Sequence, residues 1–348
     1  MKVQCVVLAF AGPLLAQPPA NFSVDVNLVR VPCIVTRANG APVQDLRKED
    51  FIVLEDGKPR EVKYLWRETD LPLTVVVAAD VSCAHFQSPN LQASQEQYTQ
   101  DILQVLRQVF SANDRMAIVG VSDQARLVTD LTGSLEELRS GAAVVRRRVE
   151  LPILGDPCAG RNPALDREPG APCGFSVLWD GVFSSARLIL LPQNGRKAML
   201  LLTGGLDTGS DHGLKDAIAE CQRAGAMVYS IRDADHYAWV PEPAPETGPI
   251  TAVTTPLGIQ LSKPQSYNYL REKSDLDRIS RETGGVAFDR RDTPLEEVLD
   301  RIQADLRSQY VLGFEPASAH SPRKLHKLQV KVTLPDLKVR AQDRYYTH

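Results

Sequence analysis

The apolar pattern peaks between residues 74 and 79, where the chain reads TVVVAA without polar alternation. A β-branched run of this kind predicts a strand buried on both faces, at the centre of a parallel sheet covered by helices. Similar runs recur at 116–121 (MAIVGV), 198–203 (AMLLLT) and 227–231 (MVYSI), with shorter ones at 126–128 and 286–288. Between them the period lengthens. Tyr98, Ile102, Val105, Leu106 and Val109 fall on one face of a helix over 88–110, since apolar residues three and four apart share a face. Helices are also predicted over 134–148, 177–191 and 275–282, over 295–306, and from a Ser210 cap to Ala224. Thr283-Gly284-Gly285 reads as a helix stop. Residues 233–264 are Pro-rich and aperiodic and read as a long surface loop.

Strands alternating with helices specify a doubly wound, mostly parallel sheet, here of six strands, because each parallel pairing needs a crossover. The two ends of the chain differ from this middle. Residues 22–67 contain FSVDVNLVRVPCIVTR and DFIVLEDGKPREVKYLWRE, with turns at Asn39-Gly40 and Asp56-Gly57. From 309 onward only strands follow: QYVLGFEP, KLQVKVTLP and LKVRAQDRYY. Neither end is long enough to hold a core alone. The expectation is therefore a small β-sandwich-like domain from 22–67 plus 309–346, with an α/β domain, 71–306, inserted in it.

Charge and cysteine content narrow the setting. A net charge of −3 over 348 residues excludes nucleic acid as the main partner, since phosphate-binding surfaces leave a chain basic. Residues 1–16 carry one Lys and an apolar segment, then Gln17-Pro18-Pro19. This reads as a secretory signal peptide, and no other segment approaches the roughly 20 apolar residues of a membrane span. The mature chain is expected to be exported, to the periplasm or the extracellular space, where disulfides form. Cys158 and Cys173 flank a Pro/Gly-rich stretch and are the expected disulfide pair. Cys33, Cys83 and Cys221 carry no assignment.

The candidate chemistry lies where the central strand ends, at Asp80-Val81-Ser82-Cys83-Ala84-His85, because open α/β sheets bind ligands beyond the carboxyl ends of their strands. Ser82 lacks the glycines of a hydrolase elbow, and the chain has no Gly-rich dinucleotide fingerprint. Trp179 and Trp239 are candidate partner anchors, core packing being the commoner outcome for Trp179.

A buried strand ending in an acid and a hydroxyl, within such a sheet, resembles the von Willebrand factor type A domain. VNLVRVPCIVTRANGAPVQDLRKEDFIVLEDGKPREV near the start and ISRETGGVAFDRRDTPLEEVLDRIQADLRSQYVLGFEP near the end are similar to the bacterial, acidobacterial-type proteins related to that family. The resemblance implies a metal-ion-dependent adhesion site, in which a hard cation such as Mg²⁺ is held by oxygen ligands. Asp80 and Ser82 match its strand-end pattern, and Ser176 stands for its Thr with the hydroxyl retained. Ala84 stands where a second Ser belongs, and Gly204 where an Asp belongs. One carboxylate and one hydroxyl are gone, so the expectation is a degenerate, empty or very weak Mg²⁺ site and no other cofactor. Asp207 is the candidate replacement acid.

The expected function is a non-enzymatic, exported protein-interaction or adhesion-type module contacting a protein partner. Two rival readings stand beside it. One is a metal-dependent or thiol-based enzyme using Asp80, Cys83, His85 or His212, the histidines and Cys83 being ligand types that suit Zn²⁺. The other is a structural component of the envelope.

Overall fold

The computed structural model describes residues 28–67, 73–82, 91–111, 113–150, 176–233, 251–255, 258–262, 269–317 and 325–346. The expected signal peptide, the Cys158–Cys173 pair, Cys83, Ala84, His85 and Trp239 lie outside them.

In chain order the strands are β1 (Val29–Arg37), β2 (Phe51–Glu55), β3 (Lys58–Arg60), β4 (Tyr64–Arg67) and β5 (Leu73–Asp80). Helix α1 (Leu91–Val109), β6 (Arg115–Val121), β7 (Ala125–Thr132), α2 (Leu135–Glu150) and α3 (Leu178–Ser184) follow, the last continued by a π-helical stretch, Ser185–Leu190. Next come β8 (Arg196–Thr203), α4 (Leu214–Ala224), β9 (Met227–Arg232), β10 (Thr251–Thr255) and β11 (Gly258–Ser262). The chain closes with α5 (Tyr269–Thr283), β12 (Ala287–Asp289), α6 (Leu295–Arg307), β13 (Tyr310–Phe314), β14 (Leu325–Val332), β15 (Leu337–Ala341) and β16 (Arg344–Tyr346).

The six-stranded sheet runs β12-β9-β8-β5-β6-β7. Counted within the sheet this is the 3-2-1-4-5-6 order of doubly wound folds, with β7 as an antiparallel edge. All eight residues of β5 are buried, as a central strand in a helix-covered parallel sheet requires. Its side chains alternate between two cores. Val75, Val77 and Ala79 pack with Ile102 of α1, Leu138 of α2 and Ile302 of α6. Val76 and Ala78 pack with Val182 of α3, Ile218 of α4 and Ile279 of α5. Each buried Val contributes about 1.5–3 kcal/mol, so the run that organises the sequence also anchors both layers.

The chain ends form two antiparallel sheets, ordered β15-β1-β13-β4 and β16-β14-β2-β3. Between them Val31, Cys33, Phe51, Val53, Leu312, Phe314 and Tyr345 share one core. Strands from both ends of the sequence pair directly, β1 with β13 and β15, and β2 with β14. Alternation on β1 sends Ile34 the other way, into the core under α6. The same junction is tied by polar contacts: Arg340 pairs with Asp305 at 2.6 Å, and the Gln222 amide donates to Asp343 at 2.8 Å. Gly284 has φ +90°, and a Cβ there would sit 3.0 Å from the backbone of Ala341. The helix stop read from the sequence is thus also a close contact between the two units.

Three local expectations change. The stretch expected to be a loop contains the β10–β11 hairpin; among the described residues its short strands, TAVTT and GIQLS, pair with each other alone, and the prolines around them hid their alternation. Helix α5 starts at Tyr269, earlier than its apolar residues suggested. Helix α4 begins after Gly213, whose N–H donates to Asp216 Oδ2 at 3.0 Å, so Ser210 does not cap it. Cys33 and Cys221 are buried free thiols, and burial pushes both well above the usual thiol range. No helix among the described residues is long and apolar enough to cross a membrane.

Candidate functional site

Parallel pairing sets Ala79 beside Leu202, so Asp80 and Thr203 end adjacent strands side by side. Asp80 is 1% exposed. Its Oδ1 accepts the Ser82 N–H at 3.1 Å and the Ser82 hydroxyl at 2.7 Å, an Asx-type turn that bends the chain as it leaves the strand. Its Oδ2 accepts the Thr203 hydroxyl at 2.7 Å, and Thr203 Oγ1 in turn accepts the Gly205 N–H at 2.9 Å. Three protein donors thus meet one carboxylate. Thr203 has no place in the expected ligand set, although its position at the end of the neighbouring strand was readable.

Ser176 is fully buried, and the loop after β8 holds it in place. Its N–H donates to Thr208 Oγ1 at 3.0 Å, and its carbonyl accepts the Thr208 N–H at 2.9 Å. Its own hydroxyl has no partner among the described residues. Gly204 brings no side chain. Asp207 turns to α3, where Oδ1 accepts the Trp179 N–H at 3.2 Å and the Ser210 hydroxyl. Burial raises the Asp207 pKa against those two bonds.

His212 is likewise committed. Its Nδ1 lies 2.7 Å from Asp180 Oδ1, and its ring stacks on Phe183 at 3.8 Å between centroids. Asp180 also accepts the N–H groups of Asp211 and His212, each at 2.9 Å. Burial works against its charge, yet those donors hold the Asp180 carboxyl below its ordinary range. Residues 207–212 are thereby laced to the first turn of α3. The sequence reading grouped Asp80, Ser82, Ser176, Gly204 and Asp207 in one site, but it missed Asp180.

Behind Asp80 lies a charge cluster that the sequence reading did not mark. The Tyr98 hydroxyl donates to the Leu202 carbonyl at 2.8 Å. Burial, and then the carboxylates of Asp80, Asp233 and Asp101, push Tyr98 well above the usual phenol range. Arg290 bridges Asp101 and Asp233, lying 2.9 Å from the latter. Arg232 and Arg291 hold Asp289 at 3.1 and 2.8 Å. Asp233 and Asp289 end or follow strands of the sheet, as Asp80 does. Among the described residues no group of three or more His, Cys, Asp or Glu side chains is arranged to hold a metal.

No family model matches the chain, and no curated protein matches it. Some solved structures resemble it distantly. An aerotolerance-related membrane protein from Bacteroides fragilis is 15% identical with a TM-score of 0.40, covering 67% of this chain and 98% of its own. BatB from Bacteroides thetaiotaomicron is 15% identical with a TM-score of 0.39, covering 66% of this chain and 97% of its own. Proximal thread matrix protein 1 of the mussel byssus is 12% identical with a TM-score of 0.41, covering 80% of this chain and 50% of its own. A likeness this distant says nothing of role, ligand or partner.

Proposed function

We propose that the carboxyl-end rim of the sheet is a protein-contact surface of an exported, non-enzymatic interaction module, and that its cation seat is weak or empty. The observation that carries the reading is the state of Asp80: both carboxylate oxygens accept hydrogen bonds from the protein's own hydroxyl and amide groups. Mg²⁺ dehydrates reluctantly and needs near-octahedral oxygen ligands. Asp80, Ser82 and Ser176 offer one negative charge, Gly204 adds none, and Asp207 is used on α3. Among the described residues of the rim the Ser176 hydroxyl is buried without a partner, and a neutral oxygen does not make up the missing charge. The same rim carries exposed Thr208, Gly209 and Asp211 on a loop that α3 fixes, the usual combination of a rigid scaffold and a recognition loop.

The test has two arms. Calorimetric titration of the full chain with Mg²⁺, Mn²⁺, Ca²⁺ and Zn²⁺ should give no stoichiometric heat. Affinity capture from the native envelope should recover the same partner with and without chelator, and Asp211→Lys should abolish it. Tight one-to-one Mg²⁺ binding, or capture lost on chelation, would replace this reading with cation-mediated adhesion.

A further inference from the structure

A cavity of about 270 Å³ opens at the opposite end of the sheet, between the β sandwich and the base of the α/β unit. It lies at the amino end of β8, where Arg196 and Lys197 line it. Six residues of strand, roughly 20 Å at 3.3 Å each, separate Lys197 from Thr203. Neighbouring walls come from Arg30 on β1, from Arg223 at the end of α4, and from Gln342 and Tyr346 near the end of the chain.

The charge here is one-sided. Four basic residues and no carboxylate line the cavity among the described residues. Glu220 offsets Arg223 from outside the lining, while Tyr346 supports the Arg223 guanidinium from below, 4.5 Å from ring centroid to carbon. Arg196 spends a donor on the Leu306 carbonyl. Arg30 lies over the Trp66 ring at 5.5 Å and forms no ion pair with any described residue. Gln342, 4% exposed, adds a polar wall beside these cations.

Cations around a concave, low-dielectric cleft concentrate anions, and guanidinium forks match the paired oxygens of carboxylate and phosphate. Clefts between domains are also where small-molecule sites concentrate. We propose that this interdomain cavity binds a compact oxyanion, a carboxylate- or phosphate-bearing small molecule, through Arg30, Lys197 and Arg223. The site is independent of the rim around Asp80.

Citrate and inorganic phosphate, titrated separately into the full chain against sodium chloride of equal ionic strength, test the proposal and separate its two chemistries. A saturable rise in Tm and a calorimetric isotherm are expected with at least one of them. Arg30→Gln and Lys197→Gln should each weaken it about tenfold, while Lys331→Gln, on the exposed side of β14, should leave it unchanged. Arg30 is exposed, so its variant folds. Effects that merely track ionic strength, or binding untouched by both variants, overturn the proposal, as does the absence of a saturable response to either anion.

Discussion

The two ends of the six-stranded sheet handle charge in opposite ways. At the carboxyl end, Asp80, Asp101, Asp233 and Asp289 each meet hydroxyl or guanidinium donors within the protein. At the amino end, basic residues crowd a cleft whose lining has no acid among the described residues. The motif-bearing end is thus closed on itself, and the end that no motif marks gathers cations with no acid beside them in the cleft lining among the described residues. A buried charge is tolerated only when paired. The carboxyl end satisfies that condition with its own side chains, which removes the charge a cation would otherwise supply. On the proposed reading, Asp80 serves as a structural pin at the end of its strand.

The largest effect should come from breaking the closed end. Arg290→Met leaves Asp101 and Asp233 buried without their shared guanidinium, at 4% side-chain exposure each. Removing one partner of such a set costs about 3–5 kcal/mol, readable as a fall in the urea midpoint at unchanged slope. Arg30→Gln at the open end should cost under about 0.5 kcal/mol, as exposed substitutions do. Equal losses in the two variants would erase the contrast. A smaller effect, about 1–3 kcal/mol, is expected from Thr203→Val, which keeps the shape but deletes the hydroxyl between Asp80 and the Gly205 N–H. Chemical denaturation measures it, and a neutral outcome would mean that Asp80 is not pinned by its neighbour.

Much of this fold was legible because burial writes itself into composition. TVVVAA can only be a strand covered on both sides, and the change from alternating strands and helices to strands alone at 309 marks where the second unit resumes. The edge strand β7 was harder to read: its burial is only partial, and nothing in Ala125–Thr132 reveals that it runs antiparallel. The rim was half legible. Asp80 and Ser82 stand at a strand end, and Ser176 and the 204–212 loop do meet. The partners that decide its chemistry, Thr203, Asp180 and Arg290, are brought in by strand register and helix docking over long sequence distances. Thr203 could have been found by aligning strand ends. Arg290, 189 residues from Asp101, could not.

The finest distinction lies within the rim itself, where two acids meeting at the first turn of α3, one on the helix and one on the loop after β8, titrate in opposite senses. Asp180 has a folded pKa below its unfolded value of 3.8, so its contribution is complete above that value and is lost as pH falls through the folded pKa. Asp180→Asn should therefore be less stable than the parent at pH 7, by about 1 kcal/mol for weakened hydrogen bonds to a charged acceptor. The deficit should shrink on acidification below about pH 4. Asp207 has a folded pKa above 3.8 because it is buried, so its contribution is fullest below that value and is lost as pH rises through the folded pKa. The deficit of Asp207→Asn should then grow toward acid. Urea midpoints of both variants between pH 3 and 7 measure the two slopes, and parallel slopes would show that the α3 turn does not tell its two carboxylates apart.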